Sequence, residues 1–266
     1  MMSQTEMPYI TLHGEKYCFH EPQVMGILNV TPDSFYAGSR KQTEEDIAQR
    51  TNEIISQGAT MIDIGACSTR PGSEPVSEEG EMARLRKALV VIRREQPDAI
   101  LSVDTFRPNV AKMCVEEFGV DIINDVSEGC EEMFRLTADL QVPYILMSTG
   151  ATAEDVKTLF VDKSKELNAM GCDNIILDPG YGFGKDIDQN FSIMKRQQEL
   201  RLSHYPLLVG ISRKRMIWQL LGITPDEALN GTSVVNAFAL LQGADILRVH
   251  DVKQAVETIK IIKKCF

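Results

Sequence analysis

Residues 26–35, GILNVTPDSF, fall into two unlike halves, and that division decides the fold. Gly26-Ile27-Leu28 closes a short apolar run that begins at Val24, as the end of a buried strand would. Asn29 stops the run, and Thr31-Pro32-Asp33-Ser34 are turn formers with mostly polar tips. Taken alone, this is a capped turn. The same event recurs along the chain, however. Short apolar runs at 61–64, 100–103, 121–123, 144–147, 174–177, 207–211 and 246–249 mostly stop on or beside a polar group. These ends are Asp63, Asp104, Asn124–Asp125, Met147–Ser148, Asp178, Ser212 and Arg248–His250.

Between the runs lie stretches of helical length with a 3.6-residue apolar rhythm. EEDIAQRTNEIISQGA carries Ile47, Ile54 and Ile55 on one face, and VKQAVETIKIIKK near the C-terminus follows the same pattern. Several of these segments end on glycine before the next run, at Gly58, Gly119, Gly171 and Gly243, as helix C-termini do. Thr224-Pro225-Asp226-Glu227 has the form of a capping box with proline at the first helical position. Eight strands alternating with helices imply parallel pairing, and 266 residues suit a closed (β/α)8 TIM barrel over an open sheet. Ahead of it, YITLHGEKYCF predicts a short N-terminal β-hairpin over 9–20, turning at His13-Gly14 and plugging the barrel floor. The whole chain, 1–266, reads as a single domain with the barrel over 23–266.

Composition narrows the function. A 43% hydrophobic and 25% charged chain is that of a soluble globular protein, and it contains neither an apolar span of about 20 residues nor a signal peptide. Six cysteines lie scattered without a C-x-x-C pair, which predicts reduced thiols and a cytoplasmic protein. A net charge of −10 disfavours nucleic acid and anionic membrane as partners. Any anionic substrate must then be met by locally placed cations.

In a barrel of this kind the C-terminal strand ends converge on one active-site mouth. Asp104, Asn124 and Asp178 offer the acceptors and donors that match a flat heterocycle. Lys214, Arg248 and His250 come later, near the habitual phosphate corner of the fold. Asn29 closes the ring, and its amide oxygen suits a hard cation such as Mg2+. Spacing alone puts Lys214 on phosphate.

The stretches MGILNVTPDSF, DIGACSTRPGSEPVS, SVDTFRPNVA, IINDVSEG, LDPGYGFGKD, VGISRKRMI and NGTSVVNAFALLQGADILRVHDV together resemble the dihydropteroate synthase family, in its order, from about Gln23 onward. The resemblance implies that p-aminobenzoate is joined to hydroxymethyl-dihydropterin diphosphate, with release of pyrophosphate through an SN1-like, Mg2+-assisted path. It implies pterin contacts from Asp104, Asn124, Asp178, Lys214, Phe183 and Gly210. Diphosphate contacts would come from Asn29, Arg248, His250 and Thr69, with Mg2+ at Asn29. Ser68, Thr69, Arg70, Pro71, Phe183, Lys214 and Ser212 would meet the aminobenzoate. The catalytic set it implies is Asp104, Lys214, Arg248, His250, Asp33 and Arg70. Two loops, 31–42 and 66–77, are rich in Gly, Pro and Ser as closing loops often are. A homodimer and inhibition by sulfonamides, which mimic aminobenzoate, are further implications.

One departure stands out. After the fifth strand the family usually reads like M-H-M-Q-G, whereas this chain has LMSTG at 146–150, leaving Met147 as a packing residue at the pterin pocket's edge. GYGFGK at 180–185 has the wrong glycine spacing for a phosphate-cradling P-loop. Arg213 and Arg215 read as salt-bridged or solvated, and His13, His20 and His204 as surface or packing residues. Rival functions are a pterin-binding methyltransferase domain and an inactive pterin-binding module. Neither explains the Asn29, Lys214, Arg248 and His250 set.

Overall fold

A computed structural model describes residues 7–31, 44–67 and 76–265. The chain opens with an antiparallel hairpin, β1 (Tyr9–Leu12) and β2 (Glu15–Cys18), with Tyr9 paired to Cys18 and Leu12 to Glu15. His13 and Gly14 form its two-residue turn, with φ of 51° and 83°. Two consecutive left-handed residues match the right-handed twist of the flanking strands, and glycine takes the second place without a Cβ penalty.

Eight parallel strands follow: β3 (Gln23–Asn29), β4 (Met61–Gly65), β5 (Ile100–Asp104), β6 (Ile122–Asp125), β7 (Tyr144–Met147), β8 (Ile175–Asp178), β9 (Leu208–Val209) and β10 (Ile246–Val249). They run in the order β8-β7-β6-β5-β4-β3-β10-β9. A parallel bridge between Leu177 and Leu207, with Leu177 N–H donating to the Pro206 carbonyl at 2.9 Å, joins the two edges. The ladder is thereby a nearly closed barrel. Its outer ring includes α1 (Glu44–Ser56), α2 (Glu78–Glu95), α3 (Pro108–Phe118), α4 (Glu131–Leu140), α5 (Ala153–Ala169), α6 (Ile187–Lys195), α7 (Arg215–Leu221), α8 (Leu229–Leu241) and α9 (Val252–Cys265). Among the described residues no helix is long and apolar enough to cross a membrane.

The period-two alternation of the strands sorts the apolar residues into two cores. Val24, Leu28, Ile62, Ile64, Leu101, Val103, Leu247 and Val249 pack outward with Leu85, Leu89, Ile92 and Val110 of the helices. Met25, Met61, Ile122, Ile145, Ile176, Leu208 and Ile246 point inward and form the barrel floor. Ile10 and Phe19 of the hairpin region join that inner cluster, so the hairpin plugs the barrel as its sequence predicts. It is fastened by aromatic contact, since the Tyr9 ring stacks on His204 at 4.2 Å and the Lys16 ammonium lies 3.9 Å from the Tyr9 ring centre.

One strand bound is corrected, and two other local readings are met with added detail. The fourth strand begins at Ile122 rather than Asp121, because the Asp121 carboxylate turns back to accept the Leu101 N–H at 2.8 Å. His13 lies at the surface, as expected, and its Nε2 is 2.8 Å from that same carboxylate. The Thr224–Glu227 capping box forms, but on a single 3-10 turn, Pro225–Glu227, and α8 starts after it.

Truncating Ile10, buried in the floor, is expected to cost about 2–4 kcal/mol in urea unfolding, the range for deleting a packed aliphatic side chain. A loss under about 1 kcal/mol would mean that the hairpin does not close the core.

Candidate functional site

Above the apolar floor the same alternation turns polar side chains inward. Register aligns Asn29 of β3 with Gly65 of β4, Gly65 with Asp104 of β5, and Asp104 with Asn124 of β6. Four consecutive strands thus bring their ends to one level. Gly65 keeps that level open: a Cβ there would lie 3.4 Å from Asn29 Oδ1 and 3.6 Å from the Asp104 Cβ. One step lower, Asp63 pairs with Ser102 in register, and both are fully buried.

A buried ion-pair network ties these strands to β10. Arg248 donates from Nε to Asp63 Oδ2 at 2.6 Å and from Nη2 to Asp104 Oδ2 at 2.7 Å. Asp63 also accepts Ser102 Oγ at 2.6 Å and Asn124 Nδ2 at 3.1 Å. Asn124 Oδ1 is buried and has no partner among the described residues. Burial pushes the Asp104 carboxyl up to about 7 against the pull of Arg248, with the Asp63 charge adding to the rise. Although burial opposes its charge, Arg248 is held above its ordinary value by Asp63 and Asp104.

The opposite wall is built by the loop after β8 and the segment after β9. Asp178 accepts the Gly180 N–H at 2.8 Å, and burial raises its carboxyl while Lys214 opposes the rise. Lys214 donates to the Tyr181 carbonyl and stands 4.5 Å from the centre of the Phe183 ring. Burial pulls its ammonium down to about 8, with Asp178 working in the other direction. Gly182, at φ 83°, lets the loop pass this lysine: a Cβ there would lie 2.9 Å from Lys214 Cδ. Gly210 separates Arg248 from Lys214, its hypothetical Cβ being 3.8 Å from Arg248 Cβ and 4.0 Å from Lys214 Nζ. The loop is pinned by Lys185, whose ammonium donates to the carbonyls of Ser148, Gly180 and Phe183 at 2.9–3.1 Å.

His250 closes the rim. Its backbone N–H donates to Ser212 Oγ at 3.2 Å, and its carbonyl accepts Arg50 Nη2 at 2.6 Å. Burial, and then the charge of Arg248, lowers its imidazole to about 4. The ring is therefore neutral near pH 7.

The structure brings Asn29, Asp104, Asn124, Asp178, Phe183, Gly210, Ser212, Lys214, Arg248 and His250 around one mouth. Asp33, Ser68, Thr69, Arg70 and Pro71 lie outside the described residues. Asp125, expected at the mouth by its place at a strand end, faces the other way. Adjacent strand residues point to opposite faces, and its carboxylate takes Tyr144 OH at 2.9 Å and Ser127 Oγ at 2.6 Å instead. Arg213 is salt-bridged, as expected, with Nε and Nη2 on the Asp251 carboxylate at 2.8 and 2.9 Å. Met147, fully buried, pairs in register with Asp178 and packs at the edge of the well. Its neighbour Thr149 is bound through both N–H and hydroxyl to Glu128 at 2.6 Å, which occupies the place of the departure from the family pattern. Sequence reasoning named Asp63 as a strand end without giving it a role, and it passed over Ser102. Their inward alternation two residues below Gly65 and Asp104 was the available signal.

Residues 25–250 match the model of the pterin binding enzyme family. Dihydropteroate synthase of Escherichia coli strain K12 is 37% identical, with 94% of each chain covered. The structure of Xanthomonas albilineans dihydropteroate synthase with 4-aminobenzoic acid aligns at a TM-score of 0.90 and 32% identity, covering 98% of both chains. Yersinia pestis dihydropteroate synthase, solved in complex with a sulfonamide drug, aligns at 0.88 and 35%, covering 97% of this chain and 98% of that one. A polar well of acids, amide and lysine set on a barrel of this topology thus coincides with likeness over nearly the full length: the chain belongs to the pterin binding enzymes and, among them, to the dihydropteroate synthase family.

Proposed function

We propose that the barrel condenses hydroxymethyl-dihydropterin diphosphate with p-aminobenzoate to give dihydropteroate and pyrophosphate. The observation that carries this reading is the buried well in which Asp104, Asn124 and Asp178 stand beside Lys214, with Asn29 and His250 at its rim. Carboxylates and an amide suit the ring donors of a pterin, and the ammonium suits a ring oxygen or nitrogen. Phe183, Ser212 and Lys214 are disposed to border the aminobenzoate; Ser68, Thr69, Arg70 and Pro71, which lie outside the described residues, are assigned to it by the family resemblance alone.

Reaction breaks the bond between the pterin methylene and the diphosphate oxygen, and the electron pair leaves with pyrophosphate. Positive charge then spreads from the methylene into the pterin ring. Asp104 and Asp178 oppose that charge inside a site of low dielectric, where fixed charges act strongly. Arg248 and His250 face the growing negative charge of the leaving group. The arylamine nitrogen attacks the methylene with its lone pair, forms the new carbon–nitrogen bond and sheds a proton. No side-chain nucleophile is required.

Among the described residues no group of three or more His, Cys, Asp or Glu side chains could cage a metal. Mg2+ does not need one, because it keeps waters and shares phosphate oxygens with its substrate. The gap that Gly65 leaves between Asn29 and Asp104 fits this mode, with Asn29 Oδ1 as the protein ligand. Bound there, Mg2+ would neutralise charge on the departing diphosphate.

Two further features follow from the same reading. The free thiols of Cys18, Cys67, Cys114, Cys130, Cys172 and Cys265 support a reducing, cytoplasmic setting. A homodimer is supported by α8, where Val234, Phe238 and Leu241 form one exposed stripe at helical spacing, continued by Leu220 and Leu221 of α7. Val234 and Leu220 are 63% and 60% exposed, more than an isolated surface would normally leave in one patch.

Purified protein given the pterin diphosphate is expected to release pyrophosphate only with both Mg2+ and p-aminobenzoate, with sulfonamides competing against the latter. Asn29→Ala should raise the Mg2+ required and lower kcat/KM by about tenfold or more. Tight pterin binding with no release would instead favour an inactive binding module. Because Lys214 loses its charge near pH 8, kcat/KM for the pterin substrate should fall as pH rises through about 8. In Lys214→Arg, whose guanidinium stays charged, that fall should vanish; its persistence would assign the limb to another group. Val234→Asp with Phe238→Asp should convert a dimer into a monomer by light scattering, and an unchanged mass would place the interface elsewhere.

A further inference from the structure

We propose that Asp63 is a positioning residue that decides, without touching substrate, how the well reads a heterocycle, by fixing the amide of Asn124 and the guanidinium of Arg248. This rests on the synthase reading above and assigns a task to a residue outside its contact set.

The geometry is specific. Asp63 sits one alternation below the mouth, in register with Ile27 on one side and Ser102 on the other, and no part of it reaches solvent. Its carboxylate takes three donors from three other strands: Ser102 Oγ on Oδ1, and Arg248 Nε with Asn124 Nδ2 on Oδ2. An ionised carboxylate can only accept. It therefore draws in the nitrogen of the Asn124 amide and repels the oxygen. A lone asparagine has no such preference, because its two orientations differ only in which end donates.

The consequence appears on the other side of the amide. Asn124 Oδ1 is turned away from Asp63 and is buried without a partner among the described residues. Leaving a buried amide oxygen unbonded is unfavourable, and the ligand class that relieves it is a ring carrying an N–H donor. Among the described residues Nδ2 donates to Asp63, which leaves its second hydrogen for a ring acceptor. Asp63 thus turns an ambiguous amide into an ordered acceptor and donor pair. The same carboxylate sets Arg248: with Nε held on Asp63, Nη2 falls on Asp104, and the guanidinium plane is fixed against the wall that faces the ring. Ser102 occupies the remaining carboxylate oxygen and holds Asp63 in its own orientation.

Asp63→Asn preserves shape while removing the charge and offering a nitrogen as well as an oxygen, so Asn124 can sit either way round. Calorimetric binding of 6-hydroxymethylpterin, which lacks the diphosphate, is expected to weaken about tenfold or more, as for a buried polar pair left unmatched. In the full reaction, misorientation at the ring should lower kcat by about ten- to a hundredfold while KM for p-aminobenzoate stays within about twofold. The Asp63 charge also raises the Asp104 carboxyl, so its removal should move the pH dependence of pterin affinity to lower pH. A residue that merely supports the fold would lower the melting temperature and leave ring affinity and its pH dependence in place. Ser102→Ala, which deletes one bond to Asp63 and leaves the charge, should weaken pterin binding about two- to fivefold, and it decides the matter if Asp63→Asn does not fold. Pterin affinity and pH dependence equal to wild type in the folded variants would overturn the proposal alone. Wild-type protein that binds no pterin would overturn the synthase reading and this proposal with it.

Discussion

Arg248 held between Asp63 and Asp104 is the interaction on which the rest of the site depends. It joins β10 to β4 and β5 across the barrel, between residues 185 and 144 positions apart in sequence. Buried charges are tolerable only when paired and hydrogen-bonded, and breaking such a set strands the others. The barrel supplies what the set requires, a ring of strands whose inward residues converge from all sides. In return the network specifies one arrangement of the strand ends, because Asp63 has three obligatory donors and Asp104 must face the guanidinium.

The layering below and above that network explains why one fold combines a stable base with a reactive top. Its floor is aliphatic and closed by Ile10 and Phe19 from the hairpin region, a packed cluster beneath the well. Most inward positions above the floor are polar, glycine or methionine, with Ile27 beside Asp63 as an apolar exception. Gly65 and Gly210 are the vacancies that let charged neighbours stand close to a ligand. Burial then tunes these groups without changing their identity. It brings Asp104 and Lys214 to about 7 and about 8, close to one another, while His250, lowered to about 4, is neutral near pH 7. Groups poised in this range can change charge at small cost during a reaction that itself moves charge.

The loop after β8 shows how a motif can mislead and still matter. GYGFGK has the look of a phosphate cradle, yet its lysine serves three carbonyls of the loop and of β7's continuation. That grip sets Phe183 beside Lys214. The departure LMSTG sits against the same loop, with Met147 packed in the well's edge and Thr149 tied to Glu128. The two features together replace a polar strand end with an apolar edge supported from behind.

Local sequence determined a good deal. Apolar runs of strand length, helical rhythms between them, glycine stops and the His13-Gly14 turn are encoded within a few residues of each other. They specify the barrel and the hairpin, and the polar strand ends mark where its mouth lies. Tertiary structure decided which of those polar groups share a face and which partner each one holds. Asn124 and Asp125 are adjacent and both polar, yet pleating sends one into the well and the other to Tyr144. Arg248 reads from sequence as a phosphate cation, while its carboxylate partners are fixed only when the barrel closes. Asp63 reads as one strand-end acid among several and becomes the hub once three other strands deliver their donors to it. Strand and turn preferences act over neighbouring residues, whereas a buried charge is satisfied by whatever the closed fold brings to it across the chain.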